Sequence, residues 1–190
     1  MTRIYEWGCG TGKTVRRFAE LDPGLEVYGS DYDERVISWC RANIPQVTFT
    51  LNGLEPPLAF DNEFFDLLYS FSVYTHLPPD LQRRWLEEQL RVVRPGGLIL
   101  LSVHGDAYKD RLTPAEREAY DSHGMVVHGG TGAGGPWFTT FNSPRWMERE
   151  LLAGHEIIHR SLHAEGAAKA QDVWVMRKPI TPPPSQPPTS

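Results

Sequence analysis

A glycine loop near the start of the chain has the residue types and spacing best suited to ligand binding. It reads Arg3-Ile4-Tyr5-Glu6-Trp7-Gly8-Cys9-Gly10-Thr11-Gly12-Lys13-Thr14, a short strand pattern followed by three glycines at alternate positions. Because glycine has no Cβ atom, the backbone at Gly8, Gly10 and Gly12 can approach a ligand closely. The loop N–H groups and the N-terminus of the next helix would supply donors and partial positive charge. The loop therefore predicts a small-ligand site.

Two common nucleotide-binding motifs do not fit this loop. A dinucleotide fingerprint, G-x-G-x-x-G, needs its third glycine where Lys13 stands. A P-loop, G-x-x-x-x-G-K-[ST], matches Gly12-Lys13-Thr14 but has Trp7 at its first glycine. The magnesium-binding acid of an NTPase would end an apolar strand, whereas Asp66 stands near the beginning of one. A P-loop-like nucleotide-binding protein remains the less favoured alternative.

Polar residues end the next strand patterns along the chain. Asp31 follows the apolar run 25–30 and comes nineteen positions after Gly12, close to the offset at which an acid binds a ribose hydroxyl in nucleotide-binding α/β folds. Asn52 closes the run 47–51, and Ser70 and Ser72 stand at the exit of the run 64–70. Carboxyl ends of parallel strands share one edge of a sheet, so these side chains should lie near the glycine loop.

The pattern E-x-G-x-G-x-G after a strand, and the stretch from Phe64 to His104, resemble the class I S-adenosylmethionine-dependent methyltransferases. The resemblance implies an α/β, Rossmann-like three-layer sandwich with a mostly parallel seven-stranded sheet and an antiparallel C-terminal edge pair. It also implies S-adenosyl-L-methionine as cofactor, with Asn52 at the adenine edge. The residues expected around the cofactor are Glu6, Gly8, Cys9, Gly10, Gly12, Asp31, Tyr32, Asn52, Gly53, Ser70, Phe71 and Ser72. Within this set, Glu6 either acts on the cofactor indirectly by holding the loop or only bonds backbone N–H groups, and Cys9 is a small residue that fits beside two glycines.

Alternating strand and helix patterns predict one methyltransferase domain over residues 3–178. Residues 105–142 interrupt that rhythm and are expected to form an irregular, lid-like insertion, with one short helix near 112–118. Residues 179–190 contain six prolines and are expected to be a disordered tail. Members of the resembled family usually carry helices before the first strand, whereas this sequence has two residues there.

Composition sets the expected acceptor and compartment. The chain has 190 residues, 40% of them hydrophobic, a net charge of -5 and two cysteines. This length suits a single domain with a sizeable core. The acidic balance and the lack of a basic run predict a small-molecule acceptor and no nucleic-acid partner. Few cysteines, no signal peptide and no long apolar run predict a cytoplasmic protein without a membrane span. No metal site is expected, because the histidines and cysteines lack tight ligand spacing.

Two histidines are the candidate catalytic residues. His76 follows the fourth strand pattern and His104 ends the fifth, so both should lie at the carboxyl edge of the sheet. Histidine suits proton removal near neutrality, and His104 is preferred as the base because it precedes the lid-like segment. Either ring could instead bond a loop carbonyl and have only a structural role. The sequence thus predicts O- or N-methylation, with a non-catalytic cofactor-binding or interaction module as the alternative.

Overall fold

The computed structural model describes residues 2–129 and 138–180. Its strands are β1 (Arg3–Trp7), β2 (Glu26–Asp31), β3 (Thr48–Leu51), β4 (Phe65–Ser70), β5 (Val93–Val103), β6 (Met125–His128), β7 (Thr139–Asn142), β8 (Glu156–Ser161) and β9 (Asp172–Arg177). Its α-helices are α1 (Val15–Leu21), α2 (Glu34–Asn43), α3 (Pro79–Val92), α4 (Pro114–His123) and the short α5 (Pro144–Trp146). Two 3-10 helices, Tyr74–His76 and Asp106–Arg111, and a π-helical turn, Met147–Leu151, complete the regular structure of these residues.

Seven strands form one sheet in the order β3-β2-β1-β4-β5-β9-β8. The first five run parallel, while β9 is antiparallel to both β5 and β8. Helices cover both sides of the sheet, so the predicted Rossmann-like fold with an antiparallel edge pair is confirmed. Strand order reverses between β1 and β4, and ligands of open α/β sheets bind at the carboxyl ends beside such a reversal.

Apolar residues on both faces of the sheet form two cores. Tyr5, Trp7 and Phe65 face the larger core, where the buried side of α3 contributes Trp85. Cys9, Val27 and Ile37 belong to a second core that involves α1 and α2. Because β1 is packed on both sides, the glycine loop that follows it starts from a fixed position. This rigidity is what a ligand-binding loop needs.

The Arg94-Pro95-Gly96-Gly97 segment lies within a strand, although proline and glycine usually favour a turn. Strand β5 starts at Val93, directly after α3, and continues through this segment. The pairing of β4 with β5 shifts between Phe65 and Leu67, so the Pro-Gly-Gly segment is accommodated as an irregularity within the strand. Proline and glycine are tolerated in strands at such irregular positions.

The prediction that residues 105–142 form an irregular insertion is corrected, because the described part of this segment has regular structure. We call its described residues, 105–129 and 138–142, the cap. A capping box between Thr113 and Glu116 starts α4, and Gly124, with φ 82°, ends it. The strands β6 and β7 then pair as an antiparallel two-stranded sheet. The sequence hid this hairpin because a glycine-rich stretch separates its strands.

Buried hydrogen bonds attach the cap to α3. Gln82 on α3 is fully buried, and its Nε2 lies 3.0 Å from the carbonyl oxygens of Tyr74 and Leu77 and from Thr140 Oγ1, which share its two protons. Its Oε1 accepts from Asn142 Nδ2 at 3.2 Å. Thr140 and Asn142 both belong to β7, so one side chain joins the cap to the turn that carries His76.

Two other sequence predictions concern the C-terminal tail and the lack of a membrane span. The predicted tail lies almost wholly outside them, since only its first two residues, Pro179 and Ile180, are described. Across residues 2–129 and 138–180, no helix has the length and apolar character needed to cross a membrane.

Candidate cofactor pocket and active site

A pocket of about 400 Å³ opens at the carboxyl edge of the sheet. Its volume falls within the range of about 300–1,000 Å³ that small-molecule sites occupy. Eight of the residues singled out from sequence line it: Gly8, Asp31, Tyr32, Asn52, Gly53, Phe71, Ser72 and His76. The remaining lining residues are Trp7, Leu54, Val73, Leu77 and Trp85. The pocket therefore combines an apolar wall with a few polar groups, as small-molecule sites usually do.

The three glycines of the loop have different surroundings. All have positive φ, 73° at Gly8, 49° at Gly10 and 68° at Gly12, a region that favours glycine. A Cβ atom at Gly12 would come within 2.7 Å of Ile44 Cδ1, whereas one at Gly10 would meet nothing within 4 Å. Gly12 thus allows close packing against the core, while Gly10 leaves open space above the loop.

Asp31 connects the end of β2 to the glycine loop. Its Oδ2 accepts the Gly10 N–H at 3.0 Å, and its Oδ1 accepts the Asp33 N–H at 3.0 Å. Each carboxylate oxygen keeps further acceptor capacity. Because Asp31 also lines the pocket, it can accept hydrogen bonds from ligand hydroxyl groups while it holds the loop.

A buried chain of hydrogen bonds orients Asn52 at the end of β3. Tyr5 Oη and Ser30 Oγ lie 2.5 Å apart, and Ser30 Oγ donates to Asn52 Oδ1 at 2.6 Å. On its other side, Asn52 Nδ2 donates to the Gly53 carbonyl oxygen at 2.7 Å. The Asn52 amide is therefore fixed at the pocket wall, with one Nδ2 proton unassigned.

Five of the predicted cofactor residues lie outside the pocket lining: Glu6, Cys9, Gly10, Gly12 and Ser70. Glu6 is buried beneath the loop, and this burial raises its pKa to about 7, with the nearby Tyr69 hydroxyl opposing the rise. Burial likewise raises the pKa of the Cys9 thiol, which disfavours the reactive thiolate. The position of Glu6 favours the interpretation that it supports the loop.

Ser72 has the most constrained backbone of the pocket wall. Its φ is 61°, a left-handed value that is uncommon outside glycine. Its N–H donates to Ser102 Oγ at 2.9 Å, and its carbonyl oxygen accepts from Thr75 Oγ1 at 2.8 Å. Its Oγ accepts from Gln171 Nε2 at 2.8 Å. Such conformations persist only where the surroundings determine them, and they cluster at functional sites.

His76 lies in the pocket wall with a defined tautomer. Its Nδ1 is 2.9 Å from the carbonyl oxygen of Phe138, the residue directly before β7. A carbonyl can only accept, so Nδ1 carries the proton of the neutral ring and Nε2 keeps its lone pair. The cap thereby sets which nitrogen of His76 can take up a proton.

His104 is not part of the pocket lining. Its ring lies 4.2 Å from the Tyr108 ring and is 9% exposed. Burial, assisted by Arg111 and His76, lowers its pKa to about 4. Its Nε2 is 3.3 Å from Gln171 Nε2, a donor, so it accepts that proton. The sequence preference for His104 over His76 as the base thus has less support than the reverse order.

Several residues that line or support the pocket had no readable signal in the sequence. Trp7 and Trp85 form part of the pocket wall, with ring centroids 4.4 Å apart, although periodicity assigns Trp85 only to the core. Ser102 and Gln171 reach Ser72 from β5 and from the residue before β9. No group of three or more His, Cys, Asp or Glu side chains able to hold a metal ion occurs in the described ranges.

Comparisons with known proteins agree with this geometry. A model of the methyltransferase domain family matches residues 4–97. A probable S-adenosylmethionine-dependent methyltransferase of Mycolicibacterium smegmatis is 34% identical over 99 residues, which cover 52% of this chain and 37% of that protein. The tRNA N(3)-methylcytidine methyltransferase Mettl2 of Drosophila melanogaster is 28% identical over 113 residues, covering 54% and 34%. The crystal structure of a methyltransferase from Methanosarcina mazei superposes with a TM-score of 0.70 at 18% identity, covering 94% of this chain and 93% of that one.

The chain belongs to the class I S-adenosylmethionine-dependent methyltransferases, as the motifs indicated. The predicted family is confirmed, and so is S-adenosyl-L-methionine as the cofactor of that family. The chain spans only about a third of the length of the first curated relatives that it matches.

The prediction of a small-molecule acceptor without a nucleic-acid partner is corrected. Several relatives are named as tRNA methyltransferases, so the acidic composition of this chain does not exclude a nucleic acid. Net charge sums over a whole chain and does not describe the charge around one pocket. The relatives are also much longer, and their other parts are not represented in this composition.

Proposed function

We propose that this chain transfers the methyl group of S-adenosylmethionine to an oxygen or nitrogen atom of an acceptor that enters beside the cap. The observation that carries the proposal is the pocket that Gly8, Asp31, Asn52 and His76 line together. It places groups suited to a nucleoside next to a group suited to accepting a proton.

The strand order supports one direction for the cofactor along the pocket. Asn52, Asp31 and Gly8 stand at the carboxyl ends of β3, β2 and β1, which are neighbours in the sheet, and Ser72 follows β4. We place the adenine by Asn52 and the ribose hydroxyls at Asp31. The amino-acid portion then extends past Gly8 toward Ser72.

The protein has little covalent chemistry to perform. Bound S-adenosylmethionine supplies a sulfonium that already activates its methyl group. The apolar wall made by Trp7, Leu77 and Trp85 excludes water, and the pocket holds the reacting atoms in line. His76 Nε2 accepts the proton of an acceptor hydroxyl or ammonium group. The proposed catalytic roles are therefore proton acceptor for His76 and a supporting role behind the pocket for His104.

The domain limits and the compartment are also proposals. We take residues 3–178 as one methyltransferase domain in which the cap closes over the acceptor. A cytoplasmic location fits the two cysteines, Cys9 and Cys40, which are both free and buried.

Titration calorimetry with S-adenosylmethionine, followed by transfer of a labelled methyl group, tests the proposal. Because relatives are named for tRNA, unmodified tRNA transcripts are the first acceptor fraction to test, with a nucleic-acid-free cell extract as the second. We expect binding and label in one fraction. Cofactor binding without label in either fraction would favour the alternative, a non-catalytic binding module. Binding of Mg-ATP in place of S-adenosylmethionine would overturn the proposal.

A further inference from the structure

Gln171 connects three parts of the fold at the edge of the pocket. It directly precedes β9, which is antiparallel and therefore begins at the edge where β4 and β5 end. Its Oε1 accepts from Ser102 Oγ at 2.6 Å. Its Nε2 lies 2.8 Å from Ser72 Oγ and 3.3 Å from His104 Nε2. One amide group thus contacts residues that come from β5 and from the turn after β4.

The donor and acceptor roles in this cluster follow from chemistry. Ser102 Oγ accepts the Ser72 N–H, so its own proton is free for Gln171 Oε1. The amide orientation is thereby set, and both Nε2 protons point away, one to Ser72 Oγ and one to His104 Nε2. His104 then carries its proton on Nδ1. Every polar atom of the Gln171 side chain has a defined partner.

The cluster leaves the hydroxyl proton of Ser72 available to the pocket. Ser72 Oγ already accepts from Gln171, and its nearest acceptor in the described chain, Thr75 Oγ1, is 3.4 Å away. A contact of that length is weak. The left-handed backbone of Ser72, fixed through its N–H by Ser102, holds the side chain in the pocket wall. A ligand oxygen here would gain a pre-oriented donor.

We propose that Gln171 and Ser102 are positioning residues that hold Ser72 as a hydrogen-bond donor to the carboxylate of the amino-acid portion of the cofactor. This inference rests on the proposed function, since it assumes that S-adenosylmethionine occupies the pocket. It adds a role for the residue before β9, which lies far outside the matched range 4–97.

Two ligands that differ only in the amino-acid portion test the inference. S-adenosylhomocysteine carries the carboxylate, whereas 5′-methylthioadenosine has the same adenine, ribose and sulfur but ends in a methyl group. We expect Gln171→Ala and Ser102→Ala each to weaken S-adenosylhomocysteine roughly 3- to 10-fold, the effect of one lost hydrogen bond. Both variants should bind 5′-methylthioadenosine as the wild type does. Calorimetry on the full chain measures all these affinities.

Matched variants separate positioning from general damage. Gln171→Glu keeps the size of the side chain, but its carboxylate accepts the Ser72 proton and repels the ligand carboxylate, so it should weaken S-adenosylhomocysteine more than Gln171→Ala does. Lys169→Ala, in the same loop, removes an exposed ion pair with Asp110 and should change neither affinity. In the wild type, the Gln171 side-chain amide resonances should shift with S-adenosylhomocysteine and not with 5′-methylthioadenosine. This last measurement does not depend on any variant folding.

The outcomes are distinct for the two proposals. If the wild type binds neither ligand, the proposed function fails. If it binds both, and the Gln171 and Ser102 variants weaken both equally or weaken neither, the positioning role is wrong while the proposed function stands. Amide resonances that respond identically to the two ligands would also contradict it.

Discussion

Asp31 performs two tasks with one carboxylate. It accepts the N–H groups of Gly10 and Asp33, and it faces the pocket. A ligand hydroxyl therefore meets an acceptor that is already fixed by the backbone, and little rotamer entropy is lost on binding.

We expect Asp31→Ala to weaken S-adenosylmethionine by about 2–3 kcal/mol, the scale of lost charge-assisted hydrogen bonds. Calorimetry on folded protein measures the change. Asp31→Asn is the matched control, because it keeps one acceptor oxygen and should fall between the wild type and the alanine variant. An unchanged dissociation constant in Asp31→Ala would remove this residue from the site.

Gly10 and Gly12 should respond differently to the same substitution. We expect Gly10→Val to fold, with a strain of about 1–3 kcal/mol from its positive φ, and to lose cofactor binding, because the side chain would occupy the open space above the loop. Gly12→Val should mainly lose stability, since its Cβ would press on Ile44. Thermal unfolding and calorimetry of both variants separate these effects. A folded Gly10→Val that binds normally would show that this glycine serves the backbone alone.

Glu6 should make stability fall as pH rises. Its pKa is about 7 in the folded chain against 4.5 ordinarily, so the folded state holds an extra proton between these values. The associated stability is fully present below pH 4.5 and is lost as pH rises through 7, by about 3 kcal/mol in all. Between about pH 5 and pH 8, Glu6→Gln should lose about 2–3 kcal/mol less unfolding free energy than the wild type.

Asp172 contributes in the same direction and His104 in the opposite one, and both effects are common to the two proteins. They therefore cancel when the unfolding free energies of the two proteins are subtracted at each pH. If the unfolding free energies of wild type and Glu6→Gln change equally with pH, the prediction is wrong.

At the scale of elements, the cap and α3 behave as one unit because Gln82 joins them without access to water. Its amide satisfies two carbonyl oxygens of the turn before α3 and two side chains of β7. The same turn carries His76, whose Nδ1 is bonded to Phe138. A displacement of β7 should therefore also change the orientation of His76, the proposed base.

We expect Gln82→Met, which keeps the volume but removes every hydrogen bond, to cost about 3 kcal/mol of unfolding free energy, since it leaves buried carbonyl and amide groups unpaired. Glu87→Met on the exposed side of the same helix is the control and should be within about 0.5 kcal/mol of wild type. Chemical denaturation measures both. Equal stabilities would show that the cap is held by apolar packing instead.

At the scale of the whole molecule, the pocket residues that stand at strand ends were predictable from sequence, and the contacts that hold Ser72 and the cap were not. The glycine loop, Asp31 and Asn52 lie directly after apolar strands, so local pattern places them at the sheet edge. Gln171 reaches Ser72 across ninety-nine residues, and no local pattern encodes such a contact. The hairpin of the cap was hidden because a glycine-rich stretch, and not a short turn, separates its two strands in the sequence.

Binding of the cofactor should stabilise the whole fold. At about one hundred times its dissociation constant, a ligand adds about 2.7 kcal/mol to the unfolding free energy. For a chain of this size that corresponds to a rise in Tm of about 5–10 °C. Differential scanning fluorimetry with S-adenosylmethionine, and with Mg-ATP as the comparison, measures it. A rise with Mg-ATP alone would favour the P-loop-like alternative.

The position of β9 late in the sequence has a consequence for folding. Contacts of high sequence separation form late, because the entropy of closing a long loop must be offset before the contact gives any benefit. The glycine loop and Asp31 can come together from the first third of the chain, whereas the contact of Gln171 with Ser72 waits for β9 to pair with β5. During synthesis, the part of the pocket formed by the glycine loop and Asp31 would therefore form first. The proposed hydrogen bond from Ser72 to the ligand carboxylate would be positioned only when β9 has paired with β5.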